Sequence, residues 1–396
     1  MDHFQSAGHV ADVLRPDVPV TCLRPHAATR AARWFVEHFD GDVLYAVKAN
    51  PAPEMLRALW AGGVRRFDVA SLSEVKLVRG LFPDAMLALM HPVKSAATIR
   101  AAYFDYGVRV FALDSDAELA KILAATDHAA DLTLCVRLSV ANTFAKLSLG
   151  AKFGVSVAEA PALLLKTRQH AARLGLCFHV GSQTMSPTAY SAALEAARKA
   201  ITRAGVVLDV LDVGGGFPAL YPGMTPPGMA LFMDEITAAI ARMPITETCE
   251  VWCEPGRALV AEATSVLVKV EARKDDRLYI NDGTYGSLFD AGTLKWVYPT
   301  RLLAGNDRSA ELQAFSFYGP TCDDLDFMEG PFMLPDDVGA GDYIEIAMLG
   351  AYGAAMRTGF NGFHQGVTVT VDDEPIHSAY TGDVPQREVI RLPGER

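Results

Sequence analysis

A chain of 396 residues that is 50% hydrophobic and 21% charged is a soluble globular protein with the length for two domains and a large core. Its formal charge of −11 argues against nucleic acid and anionic membrane surfaces as partners and suits a cationic substrate. No apolar stretch reaches the length of a membrane span, the Met1 end has neither a basic nor an apolar leader region, and the scattered cysteines form no C-x-x-C pair, so a cytoplasmic protein without a disulfide framework or metal site is expected.

Residues 18–23 read as a first strand. Eight short β-type runs then alternate with amphipathic stretches, at 43–47, 66–70, 86–90, 108–113, 132–138, 176–180, 210–213 and 251–253. That alternation predicts an α/β fold, a (β/α)8 barrel over residues 24–260. Helix signals fall between the runs: Ser71-Leu72-Ser73-Glu74 reads as a capping box, Ser186-Pro187 opens a helix over 188–204, and Gly175 is expected to end a helix that begins near Val157. Past Val260 the pattern turns to strands at 265–270, 278–280, 312–318, 343–347 and 367–371, with turn signals at Asn281-Asp282-Gly283 and Gly330-Pro331. This predicts a discontinuous all-β domain of residues 1–23 and 261–396, partly loose beyond about Asp372.

Barrel enzymes build their sites at the C-terminal ends of the strands, and there the reactive side chains gather. Lys48 ends the first run, Asp68 lies in the second, Arg137 is near the end of the fifth and His179 near the end of the sixth. Gly214-Gly215-Gly216 follows the seventh, and Glu254-Pro255-Gly256-Arg257 follows the eighth. Each has a plain structural explanation, since strand-end lysines often lean into solvent, a histidine beside an apolar run is commonly a core residue, and Glu74 is explained by its cap. Six such residues on one rim are harder to explain that way. Glycine-rich turns and an arginine after strands seven and eight suit a phosphate, whereas Glu254 must face something positive. An amine for an aldehyde, a phosphate cradle, an acid for a ring nitrogen and a histidine for a ring face together describe pyridoxal 5′-phosphate, with Lys48 as its Schiff-base lysine.

The motifs Tyr45-Ala46-Val47-Lys48-Ala49-Asn50, Phe67-Asp68-Val69-Ala70-Ser71, His179-Val180-Gly181-Ser182, Asp212 to Pro218, Glu254 to Arg257, Gly319-Pro320-Thr321-Cys322-Asp323, and Gly350-Ala351-Tyr352 through Phe360-Asn361-Gly362-Phe363 follow in order from about residue 20 to 370. In this set the chain resembles the ornithine/lysine decarboxylases, the alanine-racemase-like fold-type III enzymes. The resemblance implies that Lys48 holds the cofactor, Glu254 pairs with the pyridine nitrogen and His179 stacks on the ring. Ser182, Gly214, Gly215, Gly216 and Arg257 would hold the phosphate, with Gly256 in the same cofactor-binding set, and Tyr352 would close over it. Asp68 and Arg137 would stand near the Schiff base and the leaving carboxylate. Cys322 would return the proton to Cα from the neighbouring subunit, which implies a homodimer with shared active sites.

For the substrate, the resemblance implies that Asp323 and Asp290 receive a distal ammonium, with Phe360 beside them. The related diaminopimelate decarboxylases carry Glu-Ser after this cysteine, so Asp323-Asp324 favours L-ornithine or L-lysine, the reaction giving putrescine or cadaverine. The segment from Tyr285 to Asp290 is shorter than in eukaryotic-type members, and Arg357 stands where small residues are common and reads as a surface change. A diaminopimelate decarboxylase and another fold-type III decarboxylase are the nearer alternatives. A racemase would need a tyrosine base opposite the lysine and lacks the Gly-Pro-Thr-Cys-Asp loop. An inactive decarboxylase-like regulator would have shed some of Lys48, His179, Glu254, Arg257 and Cys322, and all five are present.

Overall fold

The computed structural model describes residues 1–141, 144–147, 152–303 and 308–380. It divides into two compact units: one of residues 32–218 and 226–258, the other of residues 1–31, 219–225 and the chain from Leu259 onward.

The first unit is a closed barrel of eight parallel strands, Asp42–Ala46, Arg66–Val69, Met86–Leu89, Val110–Leu113, Thr133–Leu138, Arg173–Phe178, Val210–Asp212 and Glu250–Cys253. Each sequence-predicted run contributes one strand. Closure occurs where Trp252 and Cys253 pair with Asp42 and Val43. The strands are nearly continuous in apolar residues because helices cover the outside while side chains fill the inside. Leu44, Ala88, Met90, Val110, Ala112, Cys135, Cys177, Val210 and Trp252 form one buried cluster, and the two-residue spacing in 88/90 and 110/112 puts them on one face. Each large side chain so buried contributes about 1.5–3 kcal/mol relative to exposure.

Gly175 does not end a helix. The helix there is Ala160–Arg168, and Gly175 lies inside the sixth strand, where a Cβ would stand 2.4 Å from Cys135 Sγ on the fifth. The glycine is a close-approach residue between two strands rather than a stop signal. At the N-terminal end of the barrel, Glu250 collects Arg66 at 2.9 Å, Arg173 at 2.7 Å and Trp252 Nε1 at 3.0 Å, an arrangement that ties three strands together away from the strand C-termini. Serine caps set the helices that follow strands two, three and four: Ser71, Ser95 and Ser115 each accept the N–H three residues on.

The second unit is a nine-stranded sheet around the long strand Thr264–Lys274. One edge of that strand's first half pairs with Val20–Leu23, the other with Tyr343–Ile346, and its second half turns back onto Arg277–Ile280. Sequence reading missed His3–Phe4, the helix Ala7–Leu14 and Thr300–Leu303. It also took Gly330-Pro331 as an inter-strand turn, whereas both lie within Phe327–Pro335, at a register irregularity opposite Phe315 and Phe317. A bulge lets a strand carry such a pair without ending.

The loose tail expected beyond Asp372 is corrected as far as residue 380. Arg24, buried, donates to Glu345 at 2.7 Å and to Asp373 at 3.1 Å, Ser378 donates to Glu262 at 3.1 Å, and Tyr380 is buried. The rest of that expectation lies outside the described residues. Among the described residues, no helix is long and apolar enough to cross a membrane.

Candidate active site

Lys48 stands two residues past the first strand, in the 3-10 turn Val47–Ala49. Tyr45 fixes that turn by donating to Asn50 O at 3.0 Å, and Asn50 Oδ1 accepts the Ala52 N–H. The Lys48 ammonium donates to Asp68 Oδ2 at 2.7 Å; Asp68 is buried near the end of the second strand, while the lysine side chain remains 44% exposed. Glu74 is the capping residue expected from the sequence. Its N–H caps onto Ser71 and its carboxylate accepts the Ala70 N–H at 2.6 Å, while burial, then Asp68, raise its pKa against the pull of Lys48.

The loop after the eighth strand reaches the same turn, because the Ala46 N–H donates to Pro255 O at 3.2 Å and a Cβ on Gly256 would stand 3.1 Å from that of Ala49. Glu254 is buried, and its Oε1 has no hydrogen-bond partner among the described residues. Burial first, then Asp212 and Asp68, push its carboxyl well above the usual range, with Lys48 opposing. Asp212 is likewise raised by burial, although its Oδ1 accepts the Gly214 N–H at 2.8 Å. The two carboxyls contact one another, and that contact is a hydrogen bond only when one of them carries a proton.

Beside them, Gly214, Gly215 and Gly216 admit no side chain. A Cβ would lie 1.8 Å from Phe178 O at Gly214, 2.7 Å from Glu254 O at Gly215 and 2.5 Å from Gly181 O at Gly216. The turn is therefore bare backbone, the kind of segment that can approach a phosphate closely. Tyr190 OH donates to Gly215 O, and the Thr184 N–H to Gly216 O, each at 3.0 Å. Arg257 is buried and opens the helix Arg257–Val260. Ser182 begins the short strand Ser182–Thr184, paired with Ala145–Leu147.

His179 keeps partial exposure, yet its dense surroundings, then Arg137 and Lys48, push its pKa down to about 3. Its Nδ1 accepts the Gly181 N–H at 2.9 Å, so the neutral ring carries its proton on Nε2. Arg137 lies in the fifth strand with its guanidinium 5.7 Å from the Phe153 ring centre. An amine paired to a carboxylate, a side-chain-free cradle and a buried acid lacking a donor fit pyridoxal 5′-phosphate.

In the other unit, Cys322 is exposed on the loop after Leu312–Tyr318, and its N–H donates to Asn361 Oδ1 at 3.2 Å. Asp323 accepts the Tyr285 hydroxyl at 2.5 Å, a bond that holds its carboxyl below its ordinary pKa. Phe360 packs on the Tyr285 ring with centroids 4.7 Å apart. Asp290 is buried in the helix Phe289–Thr293, and Tyr352 sits in a left-handed turn with φ +59°. Arg357 is no surface change: its side chain is only 16% exposed and donates to Ser287 Oγ at 2.6 Å.

Three residues escaped the sequence reading of the rim and loops. Asp212, an acid closing an apolar strand, carried the same signal as Glu254 but was read only as part of the glycine motif. His91 lies two residues past the third strand, with its pKa lowered by burial and then by the cations Lys94, Lys152, Arg137 and Lys48. Asp326 is buried and accepts from the Thr284 N–H at 2.7 Å and from both the N–H and hydroxyl of Thr321, so it stitches the Cys322 loop to the Tyr285 loop. An isolated aspartate in a loop gives no sequence signal for that role.

Residues 26–261 match the family model described as the pyridoxal-dependent decarboxylase, pyridoxal binding domain. The chain is similar to the lysine/ornithine decarboxylase of Selenomonas ruminantium, 36% identical over 347 residues and covering 85% of each chain. Among solved structures it is similar to the lysine/ornithine decarboxylase of Vibrio vulnificus complexed with putrescine (TM-score 0.79, 31% identity, covering 93% of this chain and 99% of that one). It is also similar to the Paramecium bursaria Chlorella virus arginine decarboxylase bound to agmatine (TM-score 0.80, 27% identity, covering 91% and 98%).

Proposed function

The chain belongs to the pyridoxal-dependent ornithine/lysine decarboxylase family, of fold type III, and from that premise we propose that it converts L-ornithine to putrescine, with L-lysine to cadaverine as a second reaction. It is a pyridoxal-phosphate-dependent decarboxylase of basic amino acids. The observation that carries the site assignment is Glu254, a buried carboxyl with an oxygen that no donor satisfies, beside a cradle closed to side chains.

Bound there, pyridoxal 5′-phosphate supplies the electron sink for the carbon that CO2 leaves. Lys48 is the amine that tethers it, and Asp68 compensates the charge on Nζ. Glu254 would keep a proton at the ring nitrogen, because the pyridinium is the positive partner its buried carboxylate lacks and pairing with it favours the ionised acid. Gly214, Gly215 and Gly216 bring backbone to the phosphate, with Ser182, Gly256 and Arg257, and Tyr352 covers it. His179, held uncharged, would suit the ring face, where it would not repel a protonated pyridine. Arg137 and Asp68 bracket the amine and the departing carboxylate.

Cys322 delivers the proton to Cα. Asp323 and Asp290 receive the distal ammonium, and Phe360 walls its methylenes. The exposed Cys322 and Asp323 loop supports a homodimer in which each copy completes the other's site. Purified protein is expected to show a visible absorbance band bleached by borohydride, to release CO2 from ornithine and lysine faster than from arginine or diaminopimelate, and to lose the band in Lys48→Ala. A yellow protein inert on all four amino acids would sink the reading. Asp323→Ala that leaves discrimination among them untouched would remove only the substrate-end assignment.

A further inference from the structure

Arg357 departs from the small residues common at its place, and its surroundings give it a task. Nη2 donates to Ser287 Oγ at 2.6 Å and lies 3.6 Å from Asp282 Oδ2, an oxygen with no hydrogen-bond partner among the described residues. The other Asp282 oxygen accepts the N–H groups of Gly283 at 2.9 Å and Ser287 at 3.1 Å. One cation and one carboxylate thus grip the same loop from two sides. Ser287 directly precedes Leu288, the cap of the helix Phe289–Thr293 that carries Asp290. The guanidinium reaches this place past Gly366, where a Cβ would stand 2.8 Å from Nη1.

The next residues extend the grip. Thr358 donates its N–H to Tyr285 O at 2.9 Å, Phe360 packs on the Tyr285 ring, and Asn361 accepts the Cys322 N–H. Tyr285 in turn holds Asp323. Residues 357–361 therefore tie together the backbone behind Asp290, Asp323 and Cys322.

We propose that Arg357 is a specificity-determining positioning residue, which fixes the 282–290 loop and so the place from which Asp290 receives the substrate's distal ammonium. The proposal rests on the decarboxylase reading above. Held by a charged bond, the loop has one fixed position and fits one side-chain length; released, it gains freedom and accepts one more methylene as well. A pocket fitted to within a methylene discriminates by about 10- to 200-fold.

The test compares the wild-type holoenzyme with Arg357→Ala, Arg357→Lys and Ser287→Ala, measuring kcat and KM on ornithine and lysine. Cofactor absorbance on titration with putrescine and cadaverine gives a binding readout apart from turnover. In Arg357→Ala the ornithine-to-lysine ratio of kcat/KM is expected to shift toward lysine by about tenfold or more, chiefly in KM, with diamine binding shifting the same way. Ser287→Ala should shift it in the same sense, and Arg357→Lys, which keeps the charge, should recover most of the wild-type ratio. An unchanged ratio, a shift toward ornithine, or a loss of kcat equal for both substrates overturns the proposal, and Ser287→Ala and Arg357→Lys decide it if Arg357→Ala does not fold. A wild type that decarboxylates neither amino acid overturns the functional reading instead, and the proposal falls with it.

Discussion

A histidine whose pKa is driven down to about 3 makes folding stability depend on pH, whatever it does in the site. In the unfolded chain His179 gains a proton near pH 6.5, whereas the folded site refuses it until about 3, so the unfolded state binds more protons across that interval. Folding stability from this residue is complete above 6.5 and drains away as pH falls toward about 3. The urea midpoint is therefore expected to drop on acidification through this window, and His179→Gln should flatten that component of the profile. Glu254 is tuned in the opposite sense, since burial favours its protonated form until a positive ring nitrogen faces it. Glu254→Gln removes that negative partner and is expected to lower kcat by about 10²- to 10³-fold with little change in the far-ultraviolet spectrum. A loss below fivefold would mean the carboxylate is not paired with the ring. Both residues were legible in the sequence because each is a polar group at the end of an apolar run, a position only burial or chemistry explains. Asp326 was not legible, because its importance lies in three donors from two separate loops.

At the level of elements, periodicity revealed what repeats and missed what depends on a neighbour. All eight barrel strands could be placed because each is a buried β-type run between amphipathic stretches, a pattern written locally in the chain. Gly175 was misassigned because its requirement is nonlocal: the Cys135 thiol on the adjacent strand occupies the space of its Cβ. Gly330-Pro331 was misread for a related reason, since the partner strand absorbs the irregularity. The Gly214–Gly216 turn is where the two kinds of information agree, with φ +70° and +111° at its ends and no room for a Cβ at any of its three positions. Gly214→Ala is accordingly expected to destabilise the protein by about 1–3 kcal/mol through backbone strain. It should also weaken cofactor affinity at least about tenfold, read from loss of the visible band on dialysis, because the strain distorts the proposed phosphate cradle. Retention of full affinity would show that the phosphate is held elsewhere.

For the whole molecule, the proposed pairing of two copies makes a quantitative demand. Each copy carries a formal charge of −11, so association brings like charges together, and moderate salt is expected to tighten the dimer by screening. If a site takes Lys48 from one copy and Cys322 from the other, Lys48→Ala and Cys322→Ala are each inactive or nearly so as homodimers. A mixed dimer differs, because both defects fall in one site and the second site is intact. Free reassortment of equal amounts makes half the dimers mixed, each with one working site of two, so activity should recover to about a quarter of the wild-type value. Sites built within single copies contain no such intact combination, and the mixture would then stay at the mean of the two variants at any ratio or salt concentration. Titrating one variant against the other separates the cases further. A shared site gives a maximum at equal amounts, while independent sites give a straight line between the two end points.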